Sequence, residues 1–361
     1  MSEQRDAGVA QRTDATAGSE QRPSAPGREQ SAPEPVERRA EALAASLLGG
    51  TARKHRMLVI VNPYATTVSD RLRNLVVYAL RSRYEVDAVD TEARGHATQL
   101  CREAAREGYD LVCAFGGDGT VNEAANGLVG SDTPLTTLPG GSANIFCRTL
   151  GIPADVVDAT EHLLRLADQL PKRRVDLGVV DDRHFLFAAG IGLDAEVTAR
   201  VDAHPRLKAR FGPWYYAWCA FAIFNRRYLF GRPPQMRVTL PDGRSVEAIT
   251  CVAQNSDPYT FFAQRPIRVC RQAALDSGEL ALAALRRVAP FEVPGLIARL
   301  LSGRARLVAN HRRICDLGTT PYAAVETLDG RPLPLHVDGD YLGERPRIEL
   351  RSAPRALVCV A

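Results

Sequence analysis

Apolar positions along this chain cluster in two textures. Between about residues 55 and 175, short strand-like runs such as "MLVIV" (57–61), "LVCAF" (111–115) and "PLTTL" (134–138), the first two wholly apolar, alternate with stretches of helical spacing such as Thr120 to Leu128. Short buried runs alternating with helices predict a mostly parallel sheet covered on both faces, a Rossmann-like α/β domain. After about residue 175 the runs shorten. "RVDLGVVDDRHFLFAAGIGLDAEV" (174–197), "QMRVTLPDGRSVEAITCVAQNS" (235–256), "ELALAALRR" (279–287) and "AAVETLDGRPLPLHVDGDYLG" (323–343) read as strands broken by turn pairs, among them Asp242-Gly243 and Asp329-Gly330. This half predicts an all-β domain with a few inserted helices. The closing "RALVCVA" (355–361) is a strand that can pair in either domain. The domains predicted are therefore residues 54–175 and 176–361.

Composition sets residues 1–53 apart. They are rich in Ser, Gln, Glu, Arg, Pro and Ala, nearly free of large apolar side chains, and read as a disordered tail with one short helix near "VERRAEALAASLL" (36–48). The tail has no apolar core of the kind a secretory signal needs. Eight cysteines are spread evenly with no C-x-x-C pair, the usage of buried reduced thiols in a cytosolic protein. A net charge of +4 gives no reason to expect nucleic acid. No apolar run approaches the roughly 20 residues that span a bilayer. The longest, "WYYAWCAFAIF" (214–224), is followed by Asn225, Arg226 and Arg227. It reads either as a core helix or as an access point for an apolar substrate beside an anionic membrane.

The stretch "AFGGDGTVNEAANGL" (114–128) brings candidate chemistry. Glycines 116, 117 and 119 let a ligand approach the main chain at a strand-to-helix turn. The free amides and the positive end of the helix dipole favour a phosphate there. Asp118 among them suits a bridging magnesium ion, which takes oxygen ligands from carboxylate, water and phosphate. The strands ending at Val61 and Leu138 run into comparable loops, Asn62-Pro63-Tyr64-Ala65-Thr66-Thr67 and Pro139-Gly140-Gly141-Ser142-Ala143-Asn144. Loops after the carboxyl ends of parallel strands line one crevice. There is no Walker lysine motif, and Asn122 occupies the third place of the dinucleotide pattern.

Gly116-Gly117-Asp118-Gly119-Thr120 with Asn122-Glu123, "LPGGSANIFCRTLGIP" (138–153), "AAGIGLDAEV" (188–197) and "VDGDYLG" (337–343) together resemble the bacterial diacylglycerol kinases and related lipid kinases. That family is akin to sphingosine kinases and, more distantly, NAD kinases. The resemblance covers about residues 55–361. It implies a three-layer α/β domain and a C-terminal β-sandwich with ATP in the cleft between them, and magnesium-dependent transfer of a phosphoryl group to a lipid hydroxyl. Asn62, Pro63, Thr66, Thr91, Gly116, Gly117, Asp118, Gly119, Thr120, Asn122, Glu123, Gly141 and Ser142 match nucleotide positions. Asp338 and Asp340 match the segment that carries the catalytic base. Two carboxylates around Gly339 fit that role if they lie on one side of an extended strand; a solvated β-turn is the plain alternative.

The chain departs from the family in three places. The first phosphate loop lacks its glycine, Asp340 stands where glutamate is usual, and the second magnesium segment reads "ALDSGEL" (274–280), with Asp276 as its aspartate one residue early. Asp194 and Glu196 are candidates for a polar headgroup or simply helix starters. "LIARLLSGRARLVANHRR" (296–313) offers apolar residues and a basic face for an anionic membrane, or a solvated surface helix. The expectation is a cytoplasmic lipid kinase working at the inner face of the membrane on diacylglycerol or a similar alcohol, with ATP and Mg2+. A kinase for a sphingoid or soluble acceptor, a non-catalytic ATP-binding regulator, and a homodimer all stay open.

Overall fold

The computed structural model describes residues 54–65, 68–228, 235–262 and 265–361. The expected tail (1–53) and Thr66 lie outside them. Four strands, β1 (His55–Val61), β2 (Tyr84–Asp90), β3 (Leu111–Gly116) and β4 (Leu135–Pro139), run parallel in the order β2-β1-β3-β4. Every residue of β3 and β4 is buried, so neither strand alternates: β3 is an apolar run, and β4 buries Thr136 and Thr137 between its leucines. Helices α1 (Asp70–Arg81), α2 (His96–Arg106), α3 (Asp118–Leu128), α4 (Ile145–Thr149) and α5 (Val156–Leu166) fill the connections. Ser69 caps α1 by accepting the Leu72 amide, and Asp155 caps α5 by accepting the amides of Val157 and Asp158. Helix α1 packs beside α5, and α2 beside α3. The result is the expected α/β domain.

The remaining strands are β5 (Lys172–Val180), β6 (Arg183–Phe185), β7 (Ala188–Gly192), β8 (Met236–Thr239), β9 (Ser245–Ala248), β10 (Thr250–Gln254), β11 (Thr260–Phe262), β12 (Arg265–Ile267), β13 (Leu280–Leu285), β14 (Ile314–Thr320), β15 (Tyr322–Thr327), β16 (Leu333–Val337), β17 (Asp340–Arg345) and β18 (Arg347–Val360). Five helices interrupt them: α6 (Leu193–Asp202), α7 (Pro205–Phe211), α8 (Pro213–Ile223), α9 (Val293–Leu301) and α10 (Ala305–Ala309). One antiparallel sheet has the order β14-β13-β10-β7-β16-β17. It faces strands of the other sheet across a core that joins Ile191, Leu282 and Leu335 to Val238, Val325 and Leu350. That is a β-sandwich.

Strand β18 belongs to both halves. Its first part pairs antiparallel with β15 and β5, and its last part pairs with β5 on one side and, at Cys359, parallel to β4 on the other. The change of partner needs a bulge between Ala353 and Leu357, where Arg355 takes a positive φ of 53°. Asp176 secures the bulge. Its buried carboxylate accepts the Arg355 amide at 2.8 Å and the Gly278 amide at 2.6 Å. All eight cysteines are free, and all but Cys315 are buried.

Removing the Asp176 carboxylate leaves two amides without acceptors. Asp176→Ala should therefore lower stability by about 2–5 kcal/mol, read as a lower urea midpoint; a midpoint unchanged from wild type would show that the bulge does not depend on Asp176.

Candidate active site at the edge of the parallel sheet

The three polar loops after β1, β3 and β4 meet, as parallel register requires. The Asn62 amide donates to the Phe115 carbonyl (3.0 Å) and its Nδ2 to Thr120 Oγ1 (3.1 Å), while the Gly140 amide donates to the Gly116 carbonyl (2.9 Å). The β3 and β4 loops touch through bare backbone. A Cβ on Gly140 would come within 2.9 Å of Gly116 Cα, and one on Gly141 within 2.8 Å of Gly117 Cα. Side chains there would push the loops apart and close the crevice. Gly117 precedes α3 without a side-chain cap, so the first amides of α3 are left for a ligand. Thr91 is anchored by its amide to the Val61 carbonyl (2.8 Å), Ser142 stands exposed in the β4 loop, and Pro63 is exposed after β1.

Asp118 turns toward α4, where its Oδ1 accepts the Phe146 amide at 3.2 Å. Burial pushes its carboxyl up to about 6, and the neighbouring charge of Asp338 adds to this against the amides of Ile145 and Phe146 and the charge of Arg148. A cation beside it would reverse that shift. Among the described residues no three His, Cys, Asp or Glu side chains converge on one point. A magnesium ion at this edge would therefore rely on phosphate oxygens with one or two carboxylates, its ordinary manner of binding, and Asp118 beside Gly119 fits that role. Asp276 lies apart from them, exposed and paired with Arg173 at 3.1 Å.

The two carboxylates of the Asp-Gly-Asp segment do not share a side of an extended strand. Asp338 (φ 49°) and Gly339 (φ 82°) form a two-residue hairpin turn between β16 and β17 in which both φ are positive. The turn sends the carboxylates to different places. Asp338 points inward and is buried, accepting the amides of Phe187 and Ala188 on Oδ1 (both 3.0 Å) and those of Leu186 (2.7 Å) and Asn122 Nδ2 (2.8 Å) on Oδ2. Burial still holds its carboxyl above the usual range, opposed by these donors. Asp340 instead opens onto a cleft of about 390 Å³ lined by Arg94, Thr98, Arg102, Glu123 and Arg183. Its carboxylate stands 3.8 Å from where a Gly119 Cβ would be. Asn122 is buried as a bridge, donating to Asp338 and the His184 carbonyl and accepting from Arg183 (2.7 Å).

Asp194, at the start of α6, has a separate setting. Its Oδ2 accepts the Tyr259 hydroxyl at 2.6 Å and lies 2.8 Å from His336 Nε2. Burial pushes this carboxyl up, but the charge and hydrogen bond of His336 with the Tyr259 hydroxyl outweigh it and hold the group below its ordinary range. Glu196, two residues further on, is partly buried. Sequence reasoning missed Arg94, Arg183, His336 and Tyr259. Only His336 left a trace, as the single ring nitrogen donor within the apolar strand "LPLHV".

Residues 56–179 match the family model described as the diacylglycerol kinase catalytic domain. A diacylglycerol kinase of Bacillus subtilis (strain 168) is 38% identical over 138 residues, 37% of this chain and 43% of that protein. A probable lipid kinase YegS-like of Pseudomonas syringae pv. syringae (strain B728a) is 29% identical over 311 residues, 83% of this chain and 91% of that one. The chain spans less than half the length of the first curated relatives it matches, between 43% and 46%. A putative diacylglycerol kinase from Bacillus anthracis str. Sterne shares the fold, with a TM-score of 0.65 at 24% identity over 86% of this chain and 98% of that one.

The Asp118 environment predicts a pH dependence. Between the ordinary aspartate value of about 3.9 and its own value of about 6, the native state binds a proton that the unfolded chain has released. Stability of the nucleotide-free protein should fall as pH rises through that window. Asp118→Asn should flatten this part of the Tm-against-pH curve; an equally steep curve in the variant would assign the slope to other groups.

Proposed function

We propose that this chain, whose residues 56–179 match the family model described as the diacylglycerol kinase catalytic domain, is a lipid kinase transferring the γ-phosphoryl group of ATP to the hydroxyl of diacylglycerol or a similar lipid alcohol. The observation that carries this reading is the position of Asp340. It is a carboxylate from the β-sandwich held opposite the uncapped start of α3, with an open cleft beside them. Phosphoryl transfer asks for that pair: donors that hold the phosphates and an acceptor for the proton of the incoming hydroxyl. The amides at the start of α3 and the bare glycine backbone of the β3 and β4 loops bind and orient the phosphates. Magnesium, where bound, neutralises phosphate charge. Asp340 takes the proton of the attacking hydroxyl. Asp338 takes no part in proton transfer; it fixes the hairpin that carries Asp340.

A lipid acceptor is supported by an apolar face reaching toward this site. Trp214 and Trp218 of α8 are 71% and 64% exposed, with Phe221 and Phe211 beside them in sequence. Trp214 meets Phe262 of β11 edge to face at 5.1 Å, and the neighbouring Phe261 lies under the Arg148 guanidinium at 4.5 Å. Arg148 follows Phe146, whose amide binds Asp118. On the other side of the β11–β12 hairpin, Gly303 after α9 approaches the Pro266 carbonyl, and Ile297 and Leu301 of α9 are exposed. Aromatic rings with exposed Arg265, Arg304 and Arg306 nearby suit an anionic membrane surface. Asp194, with its Oδ1 without a hydrogen bond among the described residues, is the candidate for the acceptor's polar headgroup. No helix among the described residues is long and apolar enough to cross a membrane.

Transfer of labelled γ-phosphate to diacylglycerol in mixed micelles tests the reaction. Wild type should yield labelled phosphatidic acid, and Asp340→Asn should cut the rate by about 10²–10⁴-fold while binding ATP at least as tightly. Label on no lipid, despite ATP binding, would replace the kinase by a nucleotide-binding regulator. For the surface, Trp214→Ser with Trp218→Ser should reduce sedimentation with anionic phosphatidylglycerol vesicles by about tenfold and leave ATP binding unchanged. Undiminished sedimentation would move membrane contact elsewhere.

A further inference from the structure

The Asp340 carboxylate is bracketed. Its Oδ1 lies 3.3 Å from Arg94 Nη2 and its Oδ2 3.4 Å from Arg183 Nη2. Each carboxylate oxygen therefore has a guanidinium beside it. The arginines themselves are only partly used. Arg183 is pinned by Asn122 Oδ1 at 2.7 Å, yet its Nε is buried without a hydrogen-bond partner, and Arg94 reaches Asp340 from a side chain that is 78% exposed. Both line the cleft that opens at the start of α3, three residues after Thr91 in the case of Arg94.

We propose that Arg94 and Arg183 form a clamp that reads the terminal phosphate of the nucleotide and releases Asp340 only when that phosphate is present. This rests on the kinase reading above. A guanidinium prefers a phosphate, which offers more charge and paired oxygens, to a single carboxylate. Once the terminal phosphate occupies the cleft, both arginines turn to it, and the Asp340 oxygens are free of their ion pairs to meet the acceptor hydroxyl. The acceptor hydroxyl then forms its bond to the γ-phosphorus, the bond from that phosphorus to the bridging oxygen of ADP breaks, and the hydroxyl proton passes to Asp340. Without a terminal phosphate both arginines stay on the Asp340 oxygens. The arrangement ties the release of those oxygens to an ATP-loaded site and leaves them engaged in an ADP-loaded one.

Titration calorimetry of ATP and ADP, each with magnesium, separates the possibilities. Arg94→Ala and Arg183→Lys should each weaken ATP binding about tenfold or more and change ADP binding less than about twofold. Arg94 is exposed, so its variant keeps the test valid if Arg183→Lys disturbs Asn122. Asp340→Asn frees both arginines and should tighten ATP binding by about twofold to fivefold, a gain that a purely structural ion pair does not produce. Equal losses for ATP and ADP, or wild-type affinity in both arginine variants, would overturn the clamp alone. A wild-type chain that binds neither nucleotide overturns the kinase reading and the clamp with it.

Discussion

The carboxylate of Asp338 is the constraint on which the geometry of the site depends. It gathers three consecutive amides, from Leu186 to Ala188, and the Asn122 side chain, so that β17, β7 and α3 share one buried anion. Such a group is costly to bury and costly to leave unpaired, and four donors meet both demands. A rigid turn follows. The turn aims Asp340 at the start of α3, a placement that neither half of the protein could hold alone. Two neighbouring aspartates thereby have opposite uses, one spent on architecture and one left open to the cleft.

The same economy appears where the halves are joined by backbone. Strand β18 could serve two sheets only by breaking its register, and Asp176 stabilises the break by accepting amides from Arg355 and Gly278. Both joints use a buried aspartate to hold irregular backbone. This is the usual solution where main-chain donors cannot reach a ladder partner.

Much of the fold was legible because parallel strands buried on both faces leave an unmistakable run, and because polar loops at three parallel strand ends can only gather on one edge. The Asp-Gly-Asp segment was harder. Alternation along a strand placed Asp338 and Asp340 on one side, whereas positive φ at both turn residues is a property of the hairpin that closes around them. The run at 214–224 forms a helix with Cys219 buried and both tryptophans exposed, a division that composition alone cannot assign because every position is apolar. Arg94 and Arg183 lie far from Asp340 in the chain and match no local pattern; only the folded cleft unites them. Thr66 stays outside the described residues.

The pairing of Asp340 with Gly119 carries one more step. An aspartate at 340 reaches one methylene less far than a glutamate would, a little over 1 Å. Here that shortness is matched by an opposing residue without a side chain. Even a methyl group on Gly119 would sit in van der Waals contact with the Asp340 carboxylate and fill the gap that the proposed reaction leaves for a phosphate. Gly119 therefore does more than permit a turn. It keeps open the narrow space between the Asp340 carboxylate, carried by the β16–β17 hairpin, and the start of α3, and on the proposed kinase reading the depth of that space determines how closely Asp340 can approach an acceptor hydroxyl.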